Sequence, residues 1–75
     1  MQTKNETRKL IEILKKYYPQ KTRVVLVKMD DEKAPPIGTE GTVTGVDDIG
    51  TIHVNWDNGS CLGVVLGEDI CRKIK

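Results

Sequence analysis

Within "HVNWDNGSCLGV", His53 to Val64, the chain sets a histidine, a tryptophan, an aspartate and a thiol close together. An imidazole beside a thiol can make a thiolate nucleophile or half of a metal site, and an exposed tryptophan beside an acid can make a ligand platform. The intervening residues argue against the first two chemistries. Asn58-Gly59 signals a type I′ hairpin, because both central residues of that turn need positive φ and these two adopt it at low cost. The expected register pairs Trp56 with Cys61, Asn55 with Leu62, Val54 with Gly63, His53 with Val64 and Ile52 with Val65. A bulged three-residue turn shifts that register by one. With the two-residue turn, Trp56 and Cys61 share one face and His53 lies on the other, so His53 and Cys61 cannot share an ion or a proton.

The remaining reactive letters are expected to be structural. Cys61 reads as a buried, inert thiol, and so does Cys71, although its alternation sets it apart from Ile70 and Ile74. His53 reads as a surface or rim residue. Trp56, the one tryptophan of a chain without phenylalanine, is expected in the core, with a place at the rim as the alternative. Asp30-Asp31-Glu32 and Asp47-Asp48 lack the alternating ligand spacing of a calcium loop, and no Cys-x-x-Cys pair is present. Neither cofactor nor metal is therefore expected. Without a paired acid and base or a phosphate-cradling glycine loop, the expectation is a protein that is not an enzyme.

These residues need elements to hold them. "TKNETRKLIEILKKYYPQ" places Thr3 and Glu6 at capping-box spacing, then Leu10, Ile13, Leu14 and Tyr17 at helical spacing, with Ile11 and Tyr18 widening the stripe. An amphipathic helix with one buried face should run from there to about Tyr17, before Pro19. Strand-like runs follow at Thr22 to Lys28, Glu40 to Val46, Thr51 to Trp56, Cys61 to Leu66 and a short last run through Ile70, Arg72 and Ile74. The first two are separated by a long Pro- and Gly-containing loop, and tight turns separate the next three. The expected fold is mainly β: a small five-stranded SH3-like barrel over residues 21–75, preceded by a helical appendage over residues 1–20. Leu62, Val64 and Leu66 would then form an apolar outer row. The helix should cover that row, from the same chain or from a second copy in a homodimer.

Composition sets the outer bounds. Seventy-five residues, 37% hydrophobic and 31% charged, suit one soluble domain, and no apolar run reaches the roughly 20 residues of a membrane span. The opening "MQTKNETRKL" has no secretory pattern, so a cytoplasmic location is expected, with no membrane partner. The net charge of +1 hides an asymmetry. Up to Lys28 eight bases face two acids, and from Met29 onward four bases face nine acids. The basic part suggests nucleic-acid contacts at Lys4, Arg8, Lys9, Lys15 and Lys16, a reading weighed against a merely solvated helix face.

With the pattern "APPxGTxGTVxxVDDxGxIHVxWDNGSxL" at Ala34 to Leu62, the chain resembles domain-of-unknown-function family 4314, small bacterial and phage-associated proteins, over roughly Lys21 to Ile74. It matches at Ala34 to Pro36, Gly38, Thr39, Gly41 to Val43, Val46 to Asp48, Gly50, Ile52 to Val54, Trp56 to Ser60 and Leu62. Cys61 departs from the small residue common there, and "LGED" replaces "PGxD". The resemblance implies an SH3-like barrel with no established activity. "VNWDNGS" is also similar to Mib-Herc domains, which bind partner proteins or peptides. The leading expectation is a non-catalytic protein- or peptide-binding module using the Asp30 to Thr39 loop and the rim near Trp56, with Asp30, Asp31, Pro35, Pro36, Trp56 and Asp57 as contacts. Nucleic-acid binding by the helix is the alternative.

Overall fold

Alternation of β-branched residues with polar ones builds the sheet. In the strand Thr51–Trp56, Ile52, Val54 and Trp56 are buried while His53 and Asn55 face solvent, the period of two that pleating imposes. The computed structural model describes residues 4–74, with side chains from Arg8 onward. Along the chain come α1 (Lys4–Tyr17), β1 (Arg23–Lys28), β2 (Glu40–Val46), β3 (Thr51–Trp56), β4 (Val64–Val65) and β5 (Ile70–Lys73). The capping pair expected from Thr3 and Glu6 lies outside the described residues and side chains. The protein is mainly β: five antiparallel strands form one sheet in the order β4-β3-β2-β1-β5, with one helix. No ladder joins β4 to β5 among the described residues, so the sheet stays open along that seam. Val24, Leu26, Met29, Val43, Ile52, Val54, Trp56 and Val64 make the core.

The expected type I′ turn gives way to the bulged one. The Gly59 amide donates to the Trp56 carbonyl at 2.9 Å, the Trp56 amide donates to the Ser60 carbonyl at 2.8 Å, and Gly59 alone in this turn has positive φ (+95°). Trp56 is therefore opposite Ser60, and further along Ile52 pairs with Val64 and Thr51 with Val65. A one-residue slip exchanges the faces of the whole following segment. Val64 enters the core at 2% exposure, Leu62 packs against it, and Cys61, expected to be buried beside Trp56, is exposed. The anticipated outer row of Leu62, Val64 and Leu66 is thus directed inward at its first two members. Only Leu66 remains outside, 58% exposed. The expected strand from Cys61 also shrinks to Val64–Val65.

Two other faces differ in part from expectation. In β5, Cys71 pairs with the buried Leu26 and packs against the core as expected, so its neighbour Ile70 is left outside. In α1 and the residue after it, the half-buried side chains are Ile11, Leu14 and Tyr18, while Leu10, Ile13 and Tyr17 stay 46–60% exposed. Both sets obey a helical period. The choice falls to the first because the Asp47–Gly50 turn offers a seat: Ile11 and Leu14 pack over Gly50, and Lys15 Nζ reaches Asp48 Oδ1 at 3.2 Å. The helix thus docks on its own sheet.

Gly41 permits the close approach on which Trp56 depends. A Cβ there would lie 2.6 Å from Val54 Cγ1 and 2.8 Å from Trp56 Cε3, whereas one at Gly45 would meet nothing within 4 Å. Gly41→Ala should cost about 1–3 kcal/mol in urea unfolding by overpacking, and Gly45→Ala less than about 0.5. The turn type has its own test. Gly59→Ala should cost roughly 1–2 kcal/mol through its left-handed backbone, while Asn58→Ala, whose φ is not positive, should cost clearly less.

Candidate interaction site

On the outer face of the sheet, β1 supplies Arg23 to an acidic patch contributed by β2 and the turn after β3. The Arg23 guanidinium donates to both oxygens of Asp57 (3.0 and 2.6 Å), to Glu40 Oε1 (3.2 Å) and to Thr42 Oγ1 (2.8 Å). Paired N–H donors matching two carboxylate oxygens make this a directional clamp. The hydrogen bonds from Arg23 hold the Asp57 carboxyl below its ordinary range, and Asp57 in turn raises Arg23. A second polar cluster closes the β2–β3 turn. Asp47 Oδ1 accepts from the amides of Thr51 (2.9 Å) and Ile49 (3.0 Å), and Oδ2 lies 2.8 Å from His53 Nε2. The Thr51 amide first, and then His53, lower the Asp47 carboxyl. Both clusters fix strands to one another, and each uses most of its donors and acceptors on its own chain.

The expected contact residues separate in space. Asp30 and Asp31 are exposed, and Asp31 Oδ1 accepts from the Lys33 amide (2.8 Å) to close a turn. Pro35 is buried, while Pro36 is exposed and its carbonyl accepts from Thr39 Oγ1 (2.6 Å). Backbone bonds from Gly38 to the Leu26 carbonyl and from Leu26 to the Thr39 carbonyl tie the loop's end to β1. Trp56 is 3% exposed and its indole N–H donates to the Leu62 carbonyl at 2.8 Å, so it is a core residue with a satisfied polar atom. Asp57 is held by the Arg23 clamp. Of the helix cations, Arg8, Lys9 and Lys16 are exposed, Lys15 is paired with Asp48, and the Lys4 side chain lies outside the described residues.

A different surface stands out at the open seam. Between the C-terminal half of α1 and the β4–β5 margin runs a groove of about 300 Å³, lined by Leu14, Tyr18, Ile52, Val64, Leu66 and Ile70. Leu66 and Ile70 form exposed walls, at 58% and 51%. Cys71 also borders it, its thiol pushed up by burial; burial first, and then Cys71, raise the Tyr18 hydroxyl. The groove has an apolar floor of Leu14, Ile52 and Val64 with Lys28, Glu68 and Asp69 at its rim, an arrangement suited to binding an apolar segment between charged edges. The signal for it in the sequence is faint, since Leu66 and Ile70 flank a Gly-containing turn and look like ordinary strand ends.

The family model described as Domain of unknown function (DUF4314) matches residues 7–74. No curated protein matches the sequence.

Two measurements probe these clusters. Asp47 and Asp57 have folded values below the ordinary 3.8, so the stability they contribute is complete above that value and is lost as pH falls through the depressed ones. Thermal melts should hold a steady midpoint down to about pH 5 and fall below about pH 4; Asp57→Asn should lower the neutral midpoint and flatten the acid fall. In limited alkylation with iodoacetamide near pH ~8, mass spectrometry should find Cys61 modified well before the half-buried Cys71.

Proposed function

Because the chain belongs to the family described as Domain of unknown function (DUF4314), which carries no activity to transfer, its surfaces must supply the reading, and we propose a non-catalytic protein- or peptide-binding module built on an SH3-like sheet. The observation that carries this reading is the apolar groove at the β4–β5 seam, where a small sheet leaves Leu66 and Ile70 in solvent above a floor of core side chains. Leaving such side chains uncovered forgoes part of the roughly 1.5–3 kcal/mol that burying each one provides, so a partner that covers them gains what folding left. The groove replaces the Trp56 rim as the contact surface, since Trp56 is enclosed. The short similarity to Mib-Herc domains points toward the same class of function.

Linear peptides selected from a displayed library against the purified protein test the reading. Leu66→Glu and Ile70→Glu change exposed positions, so both variants should keep the fold by circular dichroism and bind selected peptides at least about tenfold more weakly, as loss of a central apolar contact does. Unchanged binding by these variants, with loss on Ile37→Glu in the loop, would move the site to the Asp30–Thr39 segment. Strong binding of random duplex DNA at about 50 mM salt, abolished by Lys9→Glu with Lys16→Glu, would replace the reading with nucleic-acid binding.

A further inference from the structure

Two strand margins flank the groove, and their backbone groups are in different states. On the β4 side, Trp56–Ser60 is a hydrogen-bonded pair, so by antiparallel alternation Val65 turns its N–H and C=O away from β3. The next turn satisfies both: the Val65 amide donates to Asp69 Oδ2 at 2.9 Å, and its carbonyl accepts from the amides of Glu68 (3.0 Å) and Asp69 (2.9 Å). That margin is closed. On the β5 side, the Ile74 amide donates to the Arg23 carbonyl at 2.9 Å, which makes Val25–Arg72 the next bonded pair and leaves Cys71 and Lys73 unbonded to β1. Leu26, opposite Cys71, confirms the phase: its amide donates to Thr39 and its carbonyl accepts from Gly38, both on the β2 side. The N–H and C=O groups of Cys71 and Lys73 therefore project toward the open seam. They have no hydrogen-bond partner among the described residues.

An unpaired margin is common at the end of a sheet, but this one runs beside an apolar trough that Cys71 itself borders. We propose that the seam accepts an extended, acidic segment of a partner protein, which adds as a strand to the Cys71–Lys73 margin and lowers alternate apolar side chains onto Ile52, Val64 and Leu66. The proposal rests on the binding-module reading above. Main-chain bonds to Cys71 and Lys73 give affinity, and the trough selects apolar residues at every second position. Charge selects the partner. Lys28, Arg72 and Lys73 border the margin against Glu68 and Asp69, so the rim carries a net positive charge. A second copy of β5 would bring the same cations opposite these, which disfavours self-pairing.

Amide hydrogen exchange by NMR reads the proposal residue by residue. In the free protein Arg72 and Ile74 should exchange slowly, and Cys71 and Lys73 fast. An acidic peptide of about eight residues alternating valine with glutamate should slow Cys71 and Lys73 by about tenfold or more, as a new backbone bond does; its lysine counterpart should bind more weakly. Lys73→Pro removes an N–H that β1 does not use, so it should fold and bind roughly tenfold more weakly, with Lys73→Ala as the control for lost charge. Protection of Cys71 and Lys73 in the free protein overturns the proposal, even if the proline variant fails to fold. Peptide binding that leaves both amides fast overturns strand addition while sparing the binding-module reading. Failure of these peptides and of every library-selected peptide to bind overturns both. Protection that grows with protein concentration alone would make a second copy the occupant and overturn the acidic partner.

Discussion

In the turn after Trp56, a single residue decides which side of β4 faces the core. Because side chains in a strand alternate, the bulge at Gly59 sets Val64 opposite Ile52 and carries it inside, while Cys61 goes outside. The same geometry brings the Leu62 carbonyl under the Trp56 indole, so the largest core side chain has its polar atom satisfied. Gly63 then fits against β3, where a Cβ would come within 2.6 Å of Thr51 Cγ2. Core, seam and groove all inherit their composition from this turn.

Part of the charge asymmetry of the sequence is resolved within one molecule. Arg23 from the basic part engages Glu40 and Asp57 from the acidic part, and Lys15 engages Asp48. These contacts bind β1 to β2 and β3, and α1 to the β2–β3 turn. Exposed pairs of this kind contribute modestly to stability, but they fix which face of the helix meets the sheet. The face left over, Leu10, Ile13 and Tyr17, includes a ring that Lys73 Nζ covers at 4.2 Å from its centre.

Much of this architecture was legible in the residues, and its gaps have physical causes. The limits of β2 and β3 coincide with the strand-like runs because β-branched and aromatic alternation ends at turn residues on both sides. Asn58-Gly59 announced a hairpin but could not fix its type, since a glycine at the second position serves a bulged turn as well as a type I′ turn. Two apolar stripes share the helix, so periodicity identified an amphipathic helix without choosing its buried side. The inward turn of Cys71 depends on its pairing with Leu26 in β1, a strand more than forty residues earlier. The Arg23–Asp57 clamp spans 34 positions, and the groove exists only because β4 and β5 do not pair. Non-local features of that kind have no period to read.

The shortness of β4 gives the molecule a direction in time. Two residue pairs, Thr51–Val65 and Ile52–Val64, are all that hold it in the ladder, whereas β2 and β3 meet along five. Local opening begins where the fewest bonds must break, so the β4 side of the seam should fluctuate more readily than the β1–β2–β3 centre. Each such excursion lifts Val64 from the floor of the groove and deepens it. The width of the groove is then a population of states rather than a fixed dimension, and a partner that fills it would also quiet the least secured strand of the sheet.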